Sequence, residues 1–220
     1  MVLLMGTACE ADDNAKAETA SGYNSPVKAF DAYRNAISKR DWRTAFHCWA
    51  PEWREHLIFE TVFACHLKPD SPKVLALLKA HAADEAIINA AYDARYQERH
   101  GVDLARLNAD YEAKRAAADP PPMPPTDAAL LREVVCSQIA DKPGFYAEAA
   151  NILVTDGATP RIGKLEKLTI RGDKAVGWAN ETIHGVRSTG GKTNRRFEHV
   201  VPVRYQFRKT AHGWLLESTG

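Results

Sequence analysis

His199 is the residue whose type and position could most directly do chemistry. From Phe197 onward the chain alternates, with Phe197, His199, Val201, Val203, Tyr205 and Phe207 on one parity and Glu198, Arg204, Gln206 and Arg208 on the other. Alternate side chains of a strand point to opposite faces, so the first set forms a buried face and places an imidazole on it. An imidazole titrates at about 6.5 and can act as acid or base on a bound ligand, but it can also be hydrogen-bonded within a core. With no carboxylate placed beside it by the sequence, the structural role is preferred for His199. Tyr33 and Tyr205 are the phenols that could accompany it. Trp178, Phe197, Val201 and Trp214 would supply the apolar lining of a pocket. No residue set amounts to a known catalytic signature.

Two further groups invite a chemical reading. His47-Cys48 and Cys65-His66, with His56 between them, have the composition of a zinc site. Adjacent helical residues point about 100° apart, so these pairs do not converge on one ion and no metal or other cofactor is assigned. Arg187, Lys192, Arg195 and Arg196 crowd a loop around Gly190-Gly191. They could attract an anion, but a solvated hairpin loop accounts for them equally and is preferred. Cys48, Cys65 and Cys136 stand among apolar helical residues, where a free cysteine behaves as a small buried hydrophobe.

The elements that must position these residues are helical first and extended last. Ser25-Pro26 starts a helix whose Val27, Phe30, Tyr33 and Ile37 form one stripe, and Asp41 and Pro51 start two more, rich in aromatic residues. Ser71-Pro72 opens a helix expected to run to Gly101, and Asp103 caps the next, whose narrow Leu104, Leu107, Tyr111 stripe suits an antiparallel helical hairpin. This insertion spans 71–118 and is closed by a proline-rich spacer over 119–125. Thr126 is expected to cap a further helix, and 145–153 can form the last one. Lys164 to Gly220 then reads as a four-stranded antiparallel meander within a C-terminal sheet over 162–219, with turns at Gly172-Asp173 and Thr210-Ala211-His212-Gly213.

The chain has 220 residues, is 45% hydrophobic and carries a formal net charge of +1, which fits a single globular domain over 25–220 and argues against a nucleic-acid partner held by a basic face. No run approaches the roughly 18 apolar residues that cross a bilayer, so the body of the chain is expected to be soluble. Residues 1–24 are read separately, as a signal and lipid-tether segment.

Ala29-Phe30 with Tyr33, the run Lys39-Arg40-Asp41-Trp42 with Ala45-Phe46, and the terminal Ala211-His212-Gly213-Trp214 together resemble the NTF2-like superfamily, which includes ketosteroid-isomerase-like and SnoaL-like proteins. The resemblance implies an α+β cone in which N-terminal helices cover a bent antiparallel sheet. Its members include isomerases, dehydratases and many binding domains, so it fixes no activity and carries over no catalytic residue. Met1 to Cys9 in turn resembles the end of a bacterial lipoprotein signal, with Cys9 at the lipidated position and Thr7-Ala8 as the small residues before it.

The reading that follows is a non-catalytic, envelope-associated protein, lipid-anchored at Cys9 or periplasmic, that binds a small apolar ligand or a protein partner. The membrane is met through the anchor only. One rival is a small cofactor-independent isomerase or dehydratase using the cone pocket; another is an interaction scaffold using the helical insertion; a cytoplasmic location is the alternative address. A buried carboxylate or histidine lining a cavity would favour the enzyme.

Overall fold

The computed structural model describes residues 22–114, 126–154, 159–187 and 195–220. Cys9 and the rest of the 1–24 segment up to residue 21, the spacer over 119–125 and the loop carrying Gly190, Gly191 and Lys192 lie outside these residues, as do the side chains of Arg187, Arg195, Arg196 and Phe197.

Helix α1 spans Pro26–Lys39, α2 Trp42–His47 and α3 Pro51–His66. Ser25 and Asp41 accept from the free amides of Lys28 and Thr44, so each helix starts where a side-chain oxygen can satisfy an orphan donor. Two elements follow where one was expected: α4 over Pro72–Ala80 and α5 over Glu85–His100. The break falls at Ala82, whose φ of 53° no α-helix tolerates, and Asp84 then caps α5 by accepting from Ile87. Side-chain periodicity runs straight through this point, which is why it concealed the break.

Helix α6 covers Leu104–Lys114, α7 Ala128–Gln138 and α8 Lys142–Leu153. Asp127, not Thr126, caps α7: its carboxylate accepts from Leu130 at 2.9 Å and also pairs with Arg99 and His100 of α5. A carboxylate that serves the helix end, a guanidinium and an imidazole outcompetes the neighbouring hydroxyl. Leu104 packs with Tyr96, Leu130 and Val134, so α6 joins the helical body at its first turn.

The sheet contains β1 (Arg161–Ile162), β2 (Glu166–Arg171), β3 (Lys174–Arg187), β4 (Arg195–Thr210) and β5 (Gly213–Thr219). All its pairings are antiparallel. β1 and β2 both pair with β3, which pairs with β4, which pairs with β5, so the short β1 is added to the four expected strands. Helices on one face of a curled antiparallel sheet make the α+β arrangement that the resemblance implies.

Two cores hold the layers. On the inner face of the sheet Phe30, Cys48, Trp49, Tyr205, Phe207, Trp214 and Leu216 are buried together. A second core joins α3, α4, α5, α7 and α8 through Ile58, Val62, Val74, Leu77, Ile88, Val135 and Phe145. Leu57 of α3 packs against both, so this helix couples the sheet to the helical layer. Val27 was expected in the α1 stripe but is 43% exposed; Ala29 takes its place in the core.

The chain segments flanking the helices also reach β5. Tyr23 exchanges two backbone hydrogen bonds with Trp214, and Leu216 donates to Cys48 and accepts from Ala50. Gly22 and Gly213 meet so closely there that a Cβ on either would lie 2.5 Å from the other's backbone.

Candidate functional site

The inner face of the sheet is built by pairing large residues on β4 with small ones on β3. Tyr205 lies opposite Gly177, Phe207 opposite Ala175 and Val203 opposite Ala179. Leu165 covers Gly177 so closely that a Cβ there would meet its Cδ1 at 2.7 Å. The next inward position of β3 after Ala179 is Glu181, a carboxylate on an otherwise apolar face.

Glu181 is partly buried, and its Oε1 accepts a hydrogen bond from the hydroxyl of the fully buried Tyr205. Tyr33 of α1 closes the group, its ring 6.3 Å from that of Tyr205 and set edge-on to Trp49 at 5.4 Å. Phe30 meets Tyr205 edge-on at 4.8 Å. Burial pushes the Tyr205 phenol far above its ordinary value, and Tyr33 and Glu181 push it further. Burial likewise raises Tyr33, with Tyr146 and Glu181 adding to the effect. Both phenols therefore stay protonated at neutral pH and act as donors. Glu181 is the natural proton acceptor of the three.

The residues expected in the pocket divide into three groups. Tyr33, Tyr205 and Trp214 lie with the inner core, and Val201 is half-buried opposite Glu181. Trp178 instead lies on the outer face, 40% exposed and paired with the exposed Arg204. It falls there because Ala175, Gly177 and Ala179 are the buried parity of β3, and bulk alone misassigned the face. His199 is also exposed, despite its parity. It pairs with Ile183, itself 44% exposed, where the β3–β4 ribbon extends past the helices that would have covered it. The expectation that His199 faces the interior is therefore corrected, and it is the Glu181 carboxylate that lies beside the core. The alternation of β3 contained that signal, since Glu181 shares parity with Ala175, Gly177 and Ala179.

Among the described residues no three His, Cys, Asp or Glu side chains gather as metal ligands. His66 Nε2 lies 3.0 Å from the Ala83 carbonyl, His56 stacks on Trp53, and the Cys48 thiol meets the Tyr23 hydroxyl at 3.4 Å. Burial raises the thiols of Cys48, Cys65 and Cys136, so all three are poor nucleophiles.

A different cavity opens in the helical layer. Between α3, α5 and α7 a cleft of about 370 Å³ is lined by Phe59, Val62, Phe63, Ile88, Leu131 and Val135, with His66, Glu85 and Asn89 as its polar groups. Phe63 and Leu67 stand at its edge, 56% and 68% exposed. Sequence reasoning placed Phe63 and Val62 on a helix but did not bring α5 and α7 over them, because that requires the break at Ala82.

No protein-family model matches the chain, and neither does any curated protein. Among solved structures the chain is similar to a Streptomyces avermitilis protein described as a candidate dehydratase of the NTF2-like family. The two are 19% identical over 64% of this chain and 94% of the other, with a TM-score of 0.24. A superposition that loose fixes neither a residue correspondence nor an activity.

Proposed function

We propose that the protein is a non-catalytic binding domain that takes a small apolar ligand in the cleft between α3, α5 and α7. The observation that carries this reading is where empty space lies. The sheet's inner face is filled by Phe30, Trp49, Tyr205, Phe207 and Trp214, whereas the helical cleft offers about 370 Å³. Ligand sites commonly occupy 300 to 1,000 Å³ and combine an apolar wall with a few polar groups that fix orientation, as His66, Glu85 and Asn89 would here. The Met1 to Cys9 motif adds an envelope tether through a lipidated Cys9 to the same reading.

The test is titration with N-phenyl-1-naphthylamine, an uncharged apolar dye. Saturable one-to-one fluorescence enhancement that Phe63→Asp weakens at least tenfold supports the proposal. Phe63 is largely exposed, so the variant should fold. Absence of saturable binding, or equal binding by the variant, overturns it.

One observation favours a second reading, an acid–base enzyme of isomerase or dehydratase type. Glu181 is held by a buried phenol donor and its other oxygen could accept a substrate proton. Exchange of α-protons in a panel of ketones, followed in deuterated buffer and lost in Glu181→Gln, would establish it; no exchange above buffer would remove it.

A further inference from the structure

The cleft between α3, α5 and α7 gathers its polar groups around the start of α5. Glu85 and Asn89 are four residues apart on that helix and so share one face of it. His66 is held beside them, because its Nε2 lies 3.0 Å from the carbonyl of Ala83, just ahead of α5. Phe59, Val62, Leu131 and Val135 supply the apolar wall. Resting on the ligand cleft proposed above, we infer that its occupant is a primary amine with an apolar body.

The polar end presents acceptors and a negative charge. A carbonyl oxygen only accepts, so His66 Nε2 directs a proton at Ala83, and in the neutral ring Nδ1 is left as a lone-pair acceptor. Glu85 offers a carboxylate and Asn89 an amide oxygen. Among the described residues neither of these two side chains is engaged by a cation or by another hydrogen-bonding group. A primary ammonium carries three N–H donors and no acceptor, which matches a lining of this kind.

The opposite charge is disfavoured. Among the described lining residues there is no lysine or arginine, and a fatty acid would set its own carboxylate beside Glu85. Arg132 lies over the Phe59 ring, its Cζ 5.7 Å from the centroid, but it lines a separate cleft with Trp53 and His56. The start of α5 could attract an anion through its free amides, yet Asp84 already accepts from Ile87 there and Glu85 adds a second carboxylate.

An acid in the first turn of a helix is ordinary, because it offsets the partial positive charge of that end. Glu85 would carry no such inference alone. Here it borders an apolar cavity of about 370 Å³, with Asn89 and His66 as further acceptors. Phe59 and Phe63 stand in the same wall, and the faces of phenyl rings also favour a cation.

The experiment is calorimetric titration of the full chain with octylamine, octanol, octanoate and octyltrimethylammonium, at pH 7 and fixed ionic strength. Octylamine is expected to bind one to one, about tenfold or more tighter than each of the others. Octanol lacks the charge, octyltrimethylammonium lacks the N–H donors and octanoate has the wrong sign. Glu85→Gln should cut the preference for octylamine over octanol about fivefold or more, and Glu85→Asp should restore part of it. Glu85 is exposed, so both variants should fold. Dye binding that Phe63→Asp weakens, with octylamine no tighter than octanol or octanoate, would overturn this inference while the cleft reading stands. An octylamine preference unchanged in Glu85→Gln would overturn it as well. Failure of the dye and of all four octyl compounds to bind would remove both.

Discussion

The Tyr205 hydroxyl of β4 donates to the Glu181 carboxylate of β3 across the inner face of the sheet. The pair is diagonal in the register, since Tyr205 lies opposite Gly177 and Glu181 opposite Val201. The missing side chain at Gly177 leaves room for Leu165, whose Cδ1 a Cβ there would meet at 2.7 Å. A hydrogen bond to a charged acceptor contributes about 1.5 to 3 kcal/mol. Tyr205→Phe should therefore lower stability in urea by about 2 kcal/mol at neutral pH, with Glu181→Gln costing less because an amide oxygen still accepts. Equal stability of Tyr205→Phe and wild type would show that the bond does not form in solution.

The same phenols set an alkaline limit. Burial raises Tyr205 and Tyr33 and pushes Tyr146 up to about 12, whereas an unfolded tyrosine titrates near 10. A raised folded value means that the stabilisation is complete below pH 10 and is lost as the pH climbs toward the folded values, because only the unfolded chain gives up its protons. Each such tyrosine adds about 1.4 kcal/mol per pH unit to the slope. Denaturant midpoints between pH 9 and pH 11 should fall, and less steeply in Tyr205→Phe.

Asp141 caps α8 by accepting from Gly144 at 2.9 Å, and that bond, ahead of the pair with Arg43, holds its carboxyl below the ordinary value. Asp141→Ala should cost about 1 kcal/mol at pH 7 through the lost cap. A lowered folded value places this contribution above the unfolded value and removes it as the pH falls through the folded one. Wild type and variant should thus converge in acid, and a difference that persists below the folded value would assign the effect to packing. Gly144→Ala tests the same corner sterically, because its Cβ would lie 2.1 Å from Asp141 Oδ2.

Gly213 has φ 123°, outside the range of ordinary L residues, and faces Gly22 at contact distance. Gly213→Ala should destabilise by more than about 1 kcal/mol and expose the Tyr23 and Trp214 amides to hydrogen exchange. Unchanged protection at both amides would mean that the two segments do not touch.

As to location, Cys9→Ser should release the protein from the membrane fraction of a bacterial host that processes lipoproteins. A wild-type protein that stays entirely in the soluble fraction would remove the proposed anchor.

Most of the fold was legible because its signals are local. Ser25-Pro26, Asp41 and Pro51 announce helix starts, and the alternation ending at Phe207 places Tyr205 and Phe207 inward, where both are fully buried. What escaped depends on partners distant in sequence. Trp178 reads as core by its bulk, yet it lies outside because the small residues of β3 are the ones that accommodate Tyr205 and Phe207. His199 has the inward parity but is exposed, and parity does not reveal how far the helices extend. The helical cleft needs a turn at Ala82, a residue with no turn preference of its own. Glu181 is displayed by the alternation of β3, on the parity of Ala175, Gly177 and Ala179.

The contacts along β5 bear on how copies of this protein coexist at high concentration. A terminal strand normally offers a row of free amides and carbonyls onto which a neighbour's strand can add. Here the outward groups of Trp214 and Leu216 are already taken by Tyr23, Cys48 and Ala50. Sheet-to-sheet polymerisation through this border would first have to strip away the entry to α1 and the link between α2 and α3. Weakening the Gly22 and Gly213 contact would thus open a route to fibres as well as reduce stability.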